Sequence, residues 1–100
     1  MNEEKVITEE QIEAWKKKHG SVYSVTVDSK TAYLKKPDRK ALSAAAVLGK
    51  TDPMKYNEVL LNNCWLGGDE EIKTNDELFL GVSSKLADLI EIKEAELKKL

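Results

Sequence analysis

Apolar residues alternate with polar ones between Val22 and Val27, whereas the longer segments on both sides space them three or four positions apart. Alternation with β-branched residues is typical of a strand, and the wider spacing is typical of an amphipathic helix. Turn residues, Asp28-Ser29-Lys30, separate this strand from a second extended run, Thr31 to Lys36. The pattern predicts a β-hairpin, and one of its faces must be covered because two strands alone are marginally stable.

The segment before the hairpin has the signals of a helix start and a helix end. Thr8 and Gln11 have the spacing of a capping box, and two glutamates that suit the positive end of a helix dipole lie between them. Lysines precede Gly20, a residue that favours helix termination. We predict a short helix, about Glu9 to His19, preceded by a frayed lead-in over residues 1–6.

A second helix is predicted directly after the hairpin. Pro37 ends the strand because it restricts the preceding residue and lacks a backbone donor. Asp38 is placed to cap a helix that stops at Gly49. The residues predicted to face inward are Ala41, Leu42, Ala45 and Leu48.

A third helix is predicted from the same kinds of start and stop signals. Asp52 is its predicted N-cap, and Pro53 occupies the first helical position, where a missing N–H costs nothing. Leu60, Leu61 and Cys64 are predicted to face inward, with Trp65 at the edge of the core. The glycine pair Gly67-Gly68 is predicted to end the helix, and the acidic residues Asp69 to Glu71 then form a solvated turn.

A last, long amphipathic helix is predicted from the capping-box spacing of Thr74 and Glu77. Its apolar stripe runs through Leu78, Val82, Leu86, Leu89, Ile90, Lys93 and Leu97. The stripe weakens after Ile92, so residues 93–100 are predicted to project from the domain. The predicted fold is one α+β domain over residues 1–100: an N-terminal helix, a β-hairpin and three helices.

Composition and charge narrow the function classes. The 100 residues are 34% charged and 41% hydrophobic, and the net charge is −2 with both signs interleaved. These values argue against a dedicated nucleic-acid or anionic-membrane binder. No apolar run approaches the roughly 20 residues of a membrane span, and the first residues lack the apolar region of a signal peptide. We therefore expect a cytoplasmic protein.

The candidates for catalysis are one histidine and one cysteine. The single cysteine excludes an internal disulfide and a cysteine-based zinc site. A Cys/His dyad needs Cys64 and His19 to meet, but no pattern around either supports it. His19 fits a dipole-compensating position at a helix end, and Cys64 fits a buried structural thiol. We predict no catalytic residue and no enzyme activity.

Ligand motifs are also missing from the pattern. Asp69 to Glu71 could hold a cation, but the alternating ligand spacing of an EF-hand is absent. Gly67-Gly68 lacks the flanking residues of a phosphate loop. The basic segments "WKKKHG" and "LKKPDRK" have acidic neighbours and fit helix ends and a strand edge. We predict no metal, no cofactor and no nucleic-acid partner.

With catalysis and ligand binding not indicated, the remaining expectation is that the protein binds another protein. The apolar residues exceed what one stripe can bury, although a deeper core is an equal explanation. The predicted partner-binding surface consists of Leu61, Leu66, Phe79, Leu80 and Leu97.

Two motifs give the chain a family resemblance. An extended segment leads into a junction "LKKPDR", Leu34 to Arg39, and a helix ends in "LLNNC" before a glycine-rich acidic loop, Leu60 to Glu71. With the C-terminal amphipathic segment, this layout resembles the small tail assembly chaperones of long-tailed phages and prophages over roughly Tyr23 to Ile92.

The resemblance implies a non-enzymatic protein that coats the tape measure protein and recruits tail tube subunits. Many members of that family are also made in a longer frameshifted form. No catalytic residues are carried over, and the resemblance implies a role in the fold for Pro37, Arg39, Leu60, Leu61 and Cys64. Self-association along the client is a further expectation. The alternative is a different small interaction module, such as a bacterial adaptor or a phage structural or head–tail protein.

Overall fold

Helices surround a small antiparallel sheet in the computed structural model, which describes residues 7–90 and 95–100. In chain order the elements are α1 (Glu9–His19), β1 (Val22–Val27), β2 (Lys30–Lys35), α2 (Arg39–Gly49), α3 (Pro53–Cys64), β3 (Trp65–Gly68), α4 (Glu71–Thr74), α5 (Asp76–Leu86) and a 3₁₀ turn (Ala87–Leu89). The predicted α+β class, with an N-terminal helix followed by a hairpin and then helices, is confirmed.

The hairpin forms with a tighter turn than predicted. Val27 pairs with Lys30, so Lys30 belongs to β2 and the loop has only Asp28 and Ser29. Their φ angles are 49° and 66°. Positive φ at both central residues is the geometry of a type I′ turn, whose twist matches that of the flanking strands.

A third strand was not predicted. The sheet order is β1-β2-β3, and β3 pairs antiparallel with β2 through Ala32–Gly68 and Leu34–Trp65. The prediction that Gly67-Gly68 ends the third helix is wrong, because α3 ends at Cys64 and the glycines belong to the strand. The segment "WLGG" has no alternation of apolar and polar residues. A glycine is needed at Gly68 because the backbone of β2 lies too close to leave room for a side chain.

The two faces of the sheet are covered by different elements. Tyr33 lies under α1, where its ring centroid is 6.0 Å from that of Trp15. Its neighbours Ala32 and Leu34 point to the opposite face and are buried against α3 and α5. Buried residues of this core are Ala32, Leu34, Ala45, Leu60, Leu61, Cys64, Ile72, Leu78, Phe79, Val82, Leu86 and Leu89.

Most predicted helix caps are present. The Thr8–Gln11 capping box forms, and Asp38 and Asp52 accept hydrogen bonds from Ala41 N–H at 2.8 Å and Met54 N–H at 3.1 Å. The prediction of a cap at Thr74 is wrong. Thr74 ends α4, and the Asn75 side chain instead accepts from Leu78 N–H at 3.1 Å.

The prediction of a long C-terminal helix is also wrong. Helix α5 ends at Leu86, and after Leu89 the backbone becomes extended at Ile90. Leu89 is the last core residue, so no buried contact supports further helix among residues 95–100, which have no regular structure. Lys93 lies outside the described residues. Within the described part of the chain, no helix has the length and apolar character needed to cross a membrane.

Candidate functional site

The cysteine is a core residue. Cys64 has no solvent-exposed area and lies in the same buried cluster as Leu60 and Leu61. Burial raises the pKa of its thiol to about 11. The thiolate is the nucleophilic form of cysteine, so at neutral pH this side chain is an inert apolar group.

The histidine lies apart from the core, at the last position of α1. Desolvation, followed by the charges of Lys35 and Lys18, lowers the pKa of His19 below its usual value. The lowered pKa favours the neutral form of the imidazole. Among the described residues, no hydrogen bond joins His19 to Cys64.

Two lysines form ion pairs with the acidic residues after β3. Lys30 Nζ lies 3.8 Å from Asp69 Oδ2 and 3.7 Å from Glu71 Oε1, and Lys73 Nζ lies 3.6 Å from Glu70 Oε2. In the described residues, no group of three His, Cys, Asp or Glu side chains could hold a metal ion. The ion pairs of Lys30 thus join the start of α4 to the first residue of β2.

Trp65 and Lys73 connect this turn to the sheet. The Lys73 ammonium lies 4.3 Å from the centroid of the Trp65 ring, a cation–π distance. Trp65 is partly buried and packs against the core, as its predicted place at the core edge requires.

A groove of about 340 Å³ lies between β1, which is an edge strand, and the end of α5. Its floor is apolar, and Lys85 and Asp88 contribute one charge of each sign. The lining residues are Tyr23, Ser24, Val25, Thr26, Leu34, Val82, Lys85, Leu86, Asp88 and Leu89. This lining suits apolar contact and provides no histidine, cysteine or carboxylate pair for chemistry.

The predicted partner-binding residues do not form one surface. Leu61 and Phe79 are buried in the core, so their prediction as contact residues is wrong. Both side chains lie in a buried cluster that also contains Ile72 of α4, an element that one-stripe reasoning leaves out. Leu66 is partly buried, whereas Leu80 is 51% exposed and Leu97 is 99% exposed.

Helix α2 presents an exposed apolar face that sequence reasoning missed. Leu48, predicted to face inward, is 50% exposed, and Val47 is 64% exposed. The helix packs chiefly on α3 through small residues, with Gly49 directly against Tyr56. The available signal was the absence of any charge between Ala41 and Gly49.

Met54, at the start of α3, is 41% exposed and lies at the same end of the α2–α3 pair. Together these side chains place apolar area at one corner of the molecule. The described residues thus present two apolar surfaces, one on α2 and one in the β1–α5 groove. Compared with protein-family models, curated proteins and solved structures, the chain has no match.

Proposed function

We propose that this chain is a non-enzymatic tail assembly chaperone of a long-tailed phage or prophage, acting in the host cytoplasm. It would bind the tape measure protein and aid assembly of the tail tube. The observation that carries the binding role is the exposed apolar face of α2, a helix with no charged residue from Ala41 to Gly49. The choice of the tape measure protein as the client rests on the resemblance of the segments Leu34–Arg39 and Leu60–Glu71 to those of tail assembly chaperones.

The residues of the resemblance have positions that suit a role in the fold. Leu60, Leu61 and Cys64 belong to the buried core. Pro37 separates β2 from α2, and Arg39 is the first residue of α2. The junction therefore sets where the apolar helix begins.

Chaperoning requires a surface that covers apolar client segments while the complex stays dissolved. Val47 and Leu48 supply apolar area on one helix. Charged residues are 34% of the chain, enough to keep the rest of the surface hydrated. Exposed Leu97 and Leu100 near the C-terminus are candidate contacts for self-association.

The test is co-expression with fragments of the tape measure protein encoded beside this gene. We expect the soluble fraction of those fragments to rise, and the chain to co-purify with them. A small acidic protein of similar size serves as the control. Unchanged solubility and no co-purification across all fragments, or a gene neighbourhood without tail tube and tape measure genes, would refute the proposal.

A further inference from the structure

The outward face of α2 is apolar along its second half. Val47 and Leu48 are 64% and 50% exposed, and Ala44, one turn earlier, is also exposed. On a helix these three positions are neighbours, because residues three and four apart lie on one side. The small Ala44 side chain leaves room for close approach of another backbone.

Basic residues border this face at both ends. Arg39 and Lys40 lie in the first turn of α2, and Lys50 follows its last residue. Within the described residues, none of the three forms an ion pair. The nearby carboxylates, Asp38 and Asp52, face the helix ends, where they accept hydrogen bonds as caps.

The position of Arg39 and Lys40 is unfavourable for the isolated helix. A helix N-terminus carries partial positive charge, so acidic residues stabilise the first turn and basic residues oppose it. The first turn of α2 contains no acidic residue. The Asp38 N-cap carboxylate supplies one negative charge at this end, against the two positive charges of Arg39 and Lys40, so this end of α2 keeps a net positive charge.

We propose that this face docks an amphipathic helix of another protein, one whose apolar stripe is bordered by acidic residues. Lys40 and Lys50 are separated by about 15 Å along the α2 axis, at 1.5 Å per residue. Acidic residues about eleven positions apart lie on one side of a partner helix at a similar separation. Such a partner places one carboxylate near each basic end and its apolar stripe on Val47 and Leu48.

A second copy of this chain does not fit. Antiparallel packing of two α2 helices places Lys40 against Lys50, and parallel packing places each lysine against its equivalent. Either orientation brings like charges together across the contact, which opposes association. The charge pattern therefore disfavours packing of α2 against α2 and favours an acidic partner helix.

This inference deepens the proposed function by giving the chemistry of the client segment, and it rests on that function only for the client's identity. The probe is a synthetic helical peptide with leucines bordered by glutamates about eleven residues apart; a matched peptide has lysines instead. Binding is measured by NMR amide shifts on the isotope-labelled chain.

We expect the glutamate peptide to shift amides of α2 and the lysine peptide to bind at least about tenfold more weakly. The double variant Val47→Ser/Leu48→Ser should lose about tenfold in affinity. Leu80→Ser is the matched control, because Leu80 is equally exposed but lies on α5. Lys40→Glu/Lys50→Glu should reverse the preference between the two peptides. Unchanged thermal unfolding midpoints would verify that the variants fold.

Equal binding of both peptides would overturn the proposal, as would no binding at about 1 mM peptide or shifts confined to the β1–α5 groove. If tape measure fragments bind but the glutamate peptide does not, the assignment of α2 fails and the proposed function stands. If the peptide binds and the fragments do not, the proposed client is wrong and the docking surface stands.

Discussion

Gly68 lies so close to the carbonyl oxygen of Thr31 that no side chain fits between them. A Cβ at Gly68 would also lie 2.8 Å from Ala32 Cα, and the glycine has a φ of 130°. Asp69 N–H donates to Thr31 O at 3.0 Å, which holds the end of β3 on β2. We expect Gly68→Ala to reduce the free energy of unfolding by about 2–4 kcal/mol, measured by urea denaturation.

Gly20→Ala provides the matched control for backbone strain. Gly20 also has positive φ, at 86°, but a Cβ there meets no atom within 4 Å. It should cost only about 1–2 kcal/mol, so the difference between the variants reports the steric contact in the sheet. Equal costs for the two would show that Gly68 is not closely packed against β2.

The hairpin turn offers a stabilising change. Ser29 has a φ of 66°, a conformation that glycine adopts without the penalty of a Cβ. We expect Ser29→Gly to increase the free energy of unfolding by about 0.5–1 kcal/mol, since Asp-Gly is a preferred type I′ pair. Thr26→Gly, in the neighbouring strand, should destabilise. A loss of stability in Ser29→Gly would contradict the type I′ turn.

An aromatic contact helps to hold helix α1 on the sheet. The helix has no fully buried residue, and its Trp15 ring packs over Tyr33. Trp15 also lies so close to Gly67 that a Cβ at that position would be 3.0 Å from its ring. We expect Trp15→Ala to cost about 1–3 kcal/mol and to accelerate amide hydrogen exchange in α1 more than in α3. Ala14→Gly, which weakens the helix without touching the sheet, controls for helix propensity. Uniform acceleration in both helices would show that α1 and α3 open together.

Because of Cys64, we expect the free energy of unfolding to change with pH in the alkaline range. Its folded pKa is raised from 9.0 to about 11, so the unfolded chain releases the thiol proton first. The stabilisation is full below about pH 9 and is lost as pH rises towards about 11. Cys64→Ala should cost about 1 kcal/mol at neutral pH, and the gap to the wild type should narrow over that range. A constant gap up to pH 11 would contradict the raised pKa.

Local signals in the sequence account for the first two-thirds of the fold. The predicted bounds of α1 match, and Thr8, Asp38 and Asp52 cap the helices they were expected to cap. These features depend on residues within one helical turn or one hairpin, and such short-range chemistry can be read from a single sequence.

The predictions that differ from the structure are those that depend on contacts between residues far apart in the sequence. Strand β3 exists because "WLGG" meets β2, some thirty residues earlier, and glycines give no strand signal of their own. Thr74 and Asn75 are both cap residues by type, and packing of α4 against α5 selects Asn75. Leu61 and Phe79 became core for the same reason, since their buried cluster also includes Ile72 of α4, with Trp65 of β3 packed against it.

The sequence by itself determined the α+β order, the caps of α1, α2 and α3, the hairpin and the burial of Cys64, because each follows from neighbouring residues. The tertiary structure decided the third strand, the end of the last helix and which apolar side chains remain in water. Val47 and Leu48 have the same character as the core leucines. Only the placement of α2 at the outside of α3 leaves them exposed, because burial depends on what packs against a helix and not on the helix alone.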